Sequence, residues 1–261
     1  MILAGKTALI TGSTSGIGAA FANALAVEGA AIMLSGFGDK DAIAAQMVAL
    51  SASSGTKVAY SAADLSDAVQ VQALFDQCVA DLGSPDILIN NAGIQHVCPV
   101  DEFPPEKWRQ MMAIMVDAPF LLIRAALPHM KAKGWGRIIT NASAHASVAS
   151  PNKSAYITAK HAVLGLTRGV AMEVAQAGIT VNCISPGYVW TPLVENQIPG
   201  TMKTRGMTRD QVINDVLLAT TPQKQFVMPE QVAALALFLC REEASAITGA
   251  NMAVDGGWTA Q

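Results

Sequence analysis

The chain has 261 residues, of which 51% are hydrophobic and 14% charged, and its formal net charge is −3. This length and apolar content predict a folded protein with a sizeable core and exclude an intrinsically disordered one. The net charge is small and the sequence has no basic run, so it gives no reason to expect nucleic acid or an anionic membrane as a partner.

Three observations bear on where the protein works. The N-terminal "MILAGKTALITG" lacks the basic region and long apolar core of a secretory signal. The apolar segment 232–240 is about half the length needed to span a bilayer. The four cysteines, Cys78, Cys98, Cys183 and Cys240, form no CxxC pair and no Cys/His cluster of zinc type. We expect a cytoplasmic protein with reduced thiols, no metal site and no membrane partner.

Short apolar runs alternate along the chain with longer stretches of helical pattern. Most runs are continuously apolar and β-branched, as expected for strands covered on both faces. The runs are 7–11, 30–35, 57–62, 86–90, 136–140, 179–185 and 251–256, and the helical stretches include 16–28, 67–81, 105–131, 154–176 and 229–240. The alternation predicts one α/β domain over 1–261, with a parallel sheet, right-handed crossovers and helices on both faces. The long interruption at 190–226 is expected to be a functional flap or a disordered segment.

A glycine-rich turn follows the first predicted strand. The run "TGSTSGIG" places Gly12, Gly16 and Gly18 directly before a helix. Such a turn lets the backbone approach a pyrophosphate, and the helix N-terminus offers free N–H groups. The spacing is GxxxGxG rather than GxGxxG, so this motif alone does not separate a dinucleotide site from an ordinary glycine-rich turn.

Four further motifs carry a resemblance to a known family. They are "AADL" with Asp64, "NNAG" at 90–93, "SPG" at 185–187 and "YITAK" at 156–160. With the glycine turn, and in this order, they resemble the classical short-chain dehydrogenase/reductase family along essentially the whole chain. The resemblance implies a Rossmann-type, doubly wound, seven-stranded parallel sheet, a nicotinamide cofactor and a homotetramer. The cofactor-binding residues that it implies are Gly12, Thr14, Ser15, Gly16, Ile17, Gly18, Phe37, Asp64, Leu65, Asn91, Ala92, Gly93, Tyr156, Lys160, Pro186, Gly187, Val189 and Thr191.

The choice between NAD and NADP is a question of charge. A 2′-phosphate needs an Arg or Lys in the glycine turn or just after the second strand, and 13–15 and 36–38 contain neither. We therefore expect NAD, with Phe37 as a wall for the adenosine. The acidic residue that would bind the ribose 2′-hydroxyl is also missing from the end of that strand.

Tyr156 and Lys160 are four residues apart in a predicted helix, so both side chains project from one face. A lysine ammonium beside a tyrosine, together with the positive nicotinamide of NAD⁺, is expected to lower the tyrosine pKa from its ordinary value of about 10. The phenolate then takes a hydroxyl proton as general base. Ser143 follows the fifth predicted strand and is expected to hydrogen-bond the same substrate oxygen.

One expected catalytic residue is missing. The family normally has a catalytic asparagine in the preceding long helix, and alignment from "EKW" places Met115 there. In many family members the backbone carbonyl at this position holds a proton-relay water in a locally distorted helix. Pro119 has no N–H to bond the carbonyl four residues back, so we hypothesise that it frees the Met115 carbonyl for this task. The alternative is that Met115 is a core residue and the relay is damaged.

A second resemblance concerns the substrate. Between the predicted serine and tyrosine lie His145 and Lys153, two potential cations that favour an anionic substrate such as a carboxylate. The stretches "NAGIQH", "SAH", "NKSAY", "TPLVE", "GFGD" and "DGGWTA" together resemble bacterial D-3-hydroxybutyrate dehydrogenases. That resemblance implies oxidation of (R)-3-hydroxybutyrate by NAD⁺. The substrate-binding residues that it implies are Gln95, Ser143, His145, Lys153, Tyr156, Gln197 and Trp258.

The sequence departs from this subgroup at Trp190, where a basic residue is usual, as well as at Met115. Two other functions remain open. One is a 3-oxoacyl-carrier-protein reductase, which should prefer NADPH and a basic docking surface. The other is a catalytically impaired NAD-binding protein, which the intact Ser143, Tyr156 and Lys160 disfavour.

Overall fold

The computed structural model describes residues 1–260, with every side chain among them except that of Leu193. Its seven strands form one parallel sheet in the order β3-β2-β1-β4-β5-β6-β7. The strands are β1 Thr7–Thr11, β2 Ala31–Ser35, β3 Val58–Ser61, β4 Ile87–Asn90, β5 Gly136–Asn141, β6 Ile179–Pro186 and β7 Asn251–Val254. All seven predicted strands are therefore confirmed, and so is the Rossmann-type single-domain fold.

Ten α-helices connect the strands within the described residues. They are α1 Gly16–Val27, α2 Lys40–Ser54, α3 Ala68–Leu82, α4 Pro105–Met112, α5 Ala118–Lys133, α6 Ser154–Val174, α7 Pro192–Glu195, α8 Gln197–Arg205, α9 Arg209–Gln211 and α10 Pro229–Leu239. Helix α2 was not among the predicted segments. Only Ile43, Leu50 and Ser54 of this helix are buried. With so few buried positions, the sequence shows only a weak helical period of apolar residues.

Two core clusters cover the two faces of the sheet, and this explains why the strands are apolar at nearly every position. Alternate residues of a strand point to opposite faces. Ala8 and Ile10 of β1 join the cluster that contains α1 and α10, whereas Leu9 joins the cluster that contains α3 and α5. Full burial of a Leu or Ile side chain contributes roughly 1.5–3 kcal/mol each, so this arrangement fixes which face each helix covers.

The predicted helix at 105–131 is interrupted. Helix α4 passes into a π-helical turn over Ala113–Asp117, where the Ala118 N–H bonds the Ala113 carbonyl, and α5 follows with Pro119 in its first turn. The whole run Pro105–Lys133 is long and apolar enough to span a membrane by length and composition alone. Leu122, Ile123 and Ala126 of α5 are instead buried in the core cluster shared with α3.

The segment 190–226 is mostly helical rather than a disordered stretch, and its role as a functional flap stays a prediction. It contains α7, α8, α9 and a π-helical turn at Val212–Leu217. Ile198, Val212 and Leu217 form a small core of their own, against which Trp190 and Phe226 pack. At its two ends, Val189 and Val227 form an isolated parallel bridge. The three helices were not predicted because each is too short, at about one to three turns, to show a clear helical period. The Pro and Gly residues of the segment also indicated irregular structure.

Candidate active site

The glycine turn after β1 is shaped by close backbone contacts at the carboxyl edge of the sheet. A Cβ atom on Gly18 would overlap the Gly12 carbonyl oxygen and lie 2.6 Å from Asn91 Nδ2. Gly12 and Gly16 have φ of +62° and +54°, in the left-handed region that favours glycine. The turn leads into the N-terminus of α1, whose N-cap Ser15 makes no side-chain capping bond. These features fit the pyrophosphate of a dinucleotide, which needs a bare backbone and free N–H groups.

Hydrogen bonds from the loop after β4 fix the floor of this turn. Asn91 Nδ2 donates to the carbonyl oxygens of Thr11 and Gly12, both at 2.9 Å. The backbone N–H groups of Asn91 and Ala92 donate to Thr11 Oγ1 at 2.9 and 3.0 Å. The predicted cofactor residues of the two loops are therefore brought together.

The predicted adenosine end lies after β2. Thr14 Oγ1 donates to the Phe37 carbonyl at 2.8 Å, which joins the glycine turn to this loop. The Phe37 side chain is 67% exposed, and Gly36 has a φ of +152°. The carboxylate of Asp39 caps α2 by accepting from the Ala42 N–H. Phe37 is thus an exposed ring beside the turn, and its role as a wall for the adenosine stays a prediction.

The remaining predicted cofactor residues lie along the same edge. Asp64 accepts hydrogen bonds from the Ser66 backbone and hydroxyl, and Leu65 is buried. Gly187 follows Pro186 at the end of β6, and a Cβ on it would lie 2.9 Å from Asp255 Cα. Thr191 caps α7 and lies within 3.5 Å of a Cβ built on Gly16. Ile17 packs on the core beside α1, and Val189 is buried.

Ser143, Tyr156 and Lys160 converge between β5 and α6. Lys160 Nζ donates to the Asn141 carbonyl at 2.7 Å and lies 5.5 Å from the centre of the Tyr156 ring. The Ser143 side chain acts to lower the pKa of Tyr156, and it accepts a hydrogen bond from the His145 N–H at 3.2 Å. The structure thus brings the three predicted catalytic side chains together.

Burial sets the proton affinities of this group. It lowers the pKa of Lys160 to about 8, with a small opposing effect from Cys183. Burial also raises the pKa of Tyr156 above its ordinary value, and the hydrogen bond with Ser143 only partly offsets this. In the protein alone, loss of hydration disfavours the phenolate more than its neighbours stabilise it. The lowering of the Tyr156 pKa predicted with NAD⁺ bound stays a prediction.

Met115 lies at the centre of the π-helical turn. Its side chain is 2% exposed and packs with Met111, Ala155 and Ala159 beneath α6. A Cβ built on Gly93 would lie 3.4 Å from Met115 Sδ, so this side chain also supports the cofactor loop. The predicted distortion of the helix is confirmed. The alternative prediction, that the Met115 side chain lies in the core, is also confirmed. The two are compatible because one concerns the backbone and the other the side chain.

An aromatic wall borders the catalytic group on the substrate side. The rings of Tyr188 and Trp258 stack with centres 5.5 Å apart and planes within 7°. His145 meets Trp258 edge-on at 5.0 Å and Tyr156 edge-on at 5.9 Å. Lys153 Nζ lies 5.8 Å from the centre of the Tyr188 ring. We call these five residues the aromatic wall.

His145 is not the cation that the sequence predicted. It is 4% exposed, and burial, with the charge of Lys153, lowers its pKa to about 4. Its Nε2 lies 3.0 Å from Ser150 Oγ, so it acts as a neutral hydrogen-bonding group near pH 7. Lys153 is half-buried, and burial lowers its pKa as well. Gln95 and Gln197 are exposed, and within residues 1–260 no hydrogen bond or ring contact joins them to the aromatic wall.

Comparison with known proteins identifies the family. A family model described as enoyl-(acyl carrier protein) reductase matches residues 12–259. A D-beta-hydroxybutyrate dehydrogenase of Rhizobium meliloti is 51% identical over 98% of this chain and 99% of its own length. One from Cupriavidus necator is 47% identical over the full length of both. An L-sorbose reductase of Gluconobacter frateurii, solved with NADPH and L-sorbose, superimposes with a TM-score of 0.94 at 34% identity and covers both chains fully.

The chain belongs to the short-chain dehydrogenase/reductase family. It is an oxidoreductase, and the edge of the sheet described above fits the nicotinamide cofactor that the resemblance implied. The cofactor side and the catalytic group of this short-chain dehydrogenase meet at the ends of β4, β5 and β6.

Three residues of this short-chain dehydrogenase were missed by sequence analysis. Asn141 joins Lys160 to Asn91, and its position two residues before Ser143 was the available signal. Tyr188 stacks on Trp258, but nothing in "PGYVW" indicates which ring would meet it. Asp255 accepts from the Gly257 and Thr259 N–H groups and so holds the turn that carries Trp258.

Proposed function

We propose that this enzyme catalyses the reversible, NAD-dependent oxidation of (R)-3-hydroxybutyrate to acetoacetate. The observation that carries the proposal is the half-buried Lys153 beside the catalytic group, on a wall whose other members are uncharged rings. One cation in apolar surroundings favours a small monoanion. The names of the two relatives at 51% and 47% identity agree with this substrate.

Tyr156 is proposed as the general base. The Ser143 side chain acts on the Tyr156 hydroxyl by lowering its pKa, so both hydroxyls can hydrogen-bond the substrate oxygen and stabilise its developing charge. When bound, NAD⁺ supplies the hydride-accepting ring and a positive charge. The buried Lys160 ammonium, held by the Asn141 carbonyl at 2.7 Å, adds a second positive charge beside the ring. Together these charges oppose the effect of burial on the Tyr156 pKa and favour the phenolate.

The aromatic wall, with Gln95 and Gln197, is proposed to hold the carboxylate. Lys153 donates a charge-assisted hydrogen bond, and the neutral His145 and the Trp258 indole contribute N–H donors. Gln197 begins α8 of the segment 190–226, so contact with the carboxylate would depend on how closely that segment approaches the wall.

Met115 is proposed to serve through its backbone. Pro119 cannot donate to the Met115 carbonyl, and the π-helical turn over Ala113–Asp117 removes the regular i to i+4 pattern at this point. A free carbonyl is a strong acceptor and would hold a water that exchanges protons with Lys160.

NAD is proposed as the cofactor. The turn residues 13–15 and the loop 36–38 contain no Lys or Arg, and the capping carboxylate of Asp39 lies at the start of α2, where it would repel a 2′-phosphate. The similar L-sorbose reductase was solved with NADPH, so the activity of this enzyme with NAD⁺ and with NADP⁺ should be compared directly. The ratio of kcat/KM for NAD⁺ over NADP⁺ should exceed about 100, which corresponds to about 2.7 kcal/mol of discrimination.

Absorbance of NADH tests the substrate. Wild type and Lys153→Ala receive NAD⁺ with (R)-3-hydroxybutyrate, the (S) form and uncharged 2-butanol. We expect turnover of the (R) acid alone and a loss of about 100-fold or more in kcat/KM for Lys153→Ala. Lys107→Ala, which changes an exposed lysine of α4, is the matched control and should keep wild-type values. Turnover that is indifferent to Lys153 would contradict the proposed anchor.

A reductase of carrier-protein thioesters is the competing function, and the description of the family model favours testing it. Acetoacetyl thioester with NADPH should give at most a trace of the rate seen with hydroxybutyrate and NAD⁺. The reverse ranking would replace the proposal.

We also propose a cytoplasmic homotetramer. The outer face of α5 and α6 carries a groove lined mainly by apolar residues, among them Phe120, Leu127, Leu166 and Val170, together with three charged side chains. Phe120 is 49% exposed. A second copy of the chain would cover this groove, since a monomer rarely exposes such a face. Phe120→Glu should lower the mass measured by analytical ultracentrifugation, whereas Val69→Glu on α3 should not.

A further inference from the structure

Asn141, the last residue of β5, contacts two parts of the active site through different atoms. Its carbonyl oxygen accepts from Lys160 Nζ at 2.7 Å. Its side-chain Nδ2 donates to Asn91 Oδ1 at 2.9 Å. Asn91 in turn donates to the carbonyl oxygens of Thr11 and Gly12. One continuous path therefore runs from the catalytic lysine to the glycine turn.

The orientation of both amides along this path follows from their partners. The carbonyl oxygens of Thr11 and Gly12 can only accept, so the Asn91 amide must turn its NH₂ group toward them. Asn91 Oδ1 then faces Asn141 and needs a donor, which the NH₂ group of Asn141 supplies. An amide at position 141 is thus required in a single orientation.

The path is buried, which increases the cost of breaking it. Asn141 is 8% exposed and Lys160 is 6% exposed. In that orientation Asn141 Oδ1 is buried and has no partner within residues 1–260, so the amide is present in spite of one unpaired acceptor. A side chain that served only to fill space would be apolar at lower cost.

We propose that Asn141 is a positioning residue that couples occupancy of the glycine turn to the placement of the Lys160 ammonium. A dinucleotide bound at the turn would restrain Gly12 and with it the Asn91 amide, which donates to the Gly12 carbonyl. The bond between Asn91 and Asn141 transmits this restraint to the end of β5, whose carbonyl holds Lys160. The inference relies on the proposed function only for the catalytic role of Tyr156 and Lys160.

Two variants and one matched control test the coupling. Asn141→Ala removes the side-chain donor, and Asn141→Asp keeps its size but replaces the donor with an acceptor. Asp would attract the Lys160 ammonium, so a purely electrostatic role predicts that this variant is harmless. The control is Asn90→Ala. Asn90 ends the neighbouring strand β4, is 3% exposed, and finds no hydrogen-bond partner for either side-chain atom among the described residues.

The first measurement is the dissociation constant of NADH, followed by its fluorescence at pH 8. We expect Asn141→Ala and Asn141→Asp each to weaken binding about 10-fold, with Asp at least as damaging as Ala, and Asn90→Ala to stay within about twofold. The double variant Asn91→Ala, Asn141→Ala should bind no more weakly than Asn91→Ala alone, since both remove one path. Additive losses, or wild-type affinity in Asn141→Asp, would overturn the coupling.

The second measurement is the pH dependence of kcat. In both Asn141 variants the ionisation attributed to Tyr156 should move to higher pH by half a unit or more, because a poorly placed ammonium stabilises the phenolate less. An unchanged profile would reduce Asn141 to a structural residue and overturn the proposal. Thermal unfolding checks that each variant is folded, and the isosteric Asp variant remains informative if Ala is not. If wild type fails to oxidise hydroxybutyrate, the proposed function fails while the NADH titrations still decide the coupling.

Discussion

The cofactor edge and the substrate side of this enzyme are built from different kinds of contact. At the cofactor edge, backbone approaches backbone, as where a Cβ on Gly18 would overlap the Gly12 carbonyl. On the substrate side, rings from three distant parts of the chain meet, and Trp258 lies between His145 and Tyr188. A close contact between backbone segments has no space for an added atom. A contact between aromatic rings can accept a substitution of the side chain at the cost of poorer packing. The cofactor edge should therefore tolerate almost no substitution, whereas the substrate side should tolerate substitutions that change its fit to the substrate.

The largest expected effect is that of Gly18→Ala on the cofactor edge. The added Cβ meets the Gly12 carbonyl of the turn and the Asn91 Nδ2 of the loop after β4, and the two groups are bonded to each other. We expect the dissociation constant of NADH to rise more than 100-fold, or the protein not to fold. Gly200→Ala, where nothing lies within 4 Å of the new Cβ, is the matched control. Gly18→Ala with normal NADH affinity would contradict the expectation that this edge tolerates almost no substitution.

Trp258→Ala is the corresponding change on the substrate side. It removes the ring that stacks on Tyr188 and supports His145, so the acid should lose its apolar wall. We expect KM for (R)-3-hydroxybutyrate to rise about 10- to 50-fold while the NADH dissociation constant stays within about twofold. Trp108→Ala, on the exposed face of α4, should change neither. A comparable loss of cofactor affinity in Trp258→Ala would remove the distinction between the two regions.

The same difference explains what could be predicted from the sequence. Gly12, Gly18 and Asn91 are readable because the residue types that permit close backbone contact are few and keep fixed spacings. The ring of Tyr188 was missed because stacking depends on the packing of the C-terminal turn, where Gly256 and Gly257 both have positive φ. The charge of His145 was predicted wrongly for a related reason, since burial, unlike residue type, is not visible in a short motif.

His145 tests whether the substrate side depends on a neutral imidazole. Its folded pKa of about 4 lies below its ordinary value of 6.5, so the unfolded chain binds the extra proton first. Its contribution to stability is therefore complete above pH 6.5 and declines as the pH falls toward 4, by at most roughly 3 kcal/mol. Urea unfolding of wild type and His145→Gln over this range should show a steeper decline in wild type. His129→Gln, at an exposed histidine, should decline in parallel with wild type, and equal slopes for all three would exclude His145 as the source.

The smallest expected effect comes from Phe37, where the cofactor edge relies on a side chain. Phe37 is 67% exposed and is joined to the glycine turn only through its carbonyl, which accepts from Thr14 Oγ1. Because that bond involves the backbone, Phe37→Ala should leave the turn intact and remove only the ring contact with the adenosine. We expect KM for NAD⁺ to rise about three- to tenfold with kcat unchanged, and Val48→Ala, at an exposed residue of α2, to change neither. A loss as large as that of Gly18→Ala would mean that the Phe37 ring, rather than the backbone of the glycine turn, determines cofactor affinity. The cofactor edge and the substrate side would then differ in their place in the fold but not in the kind of contact that builds them.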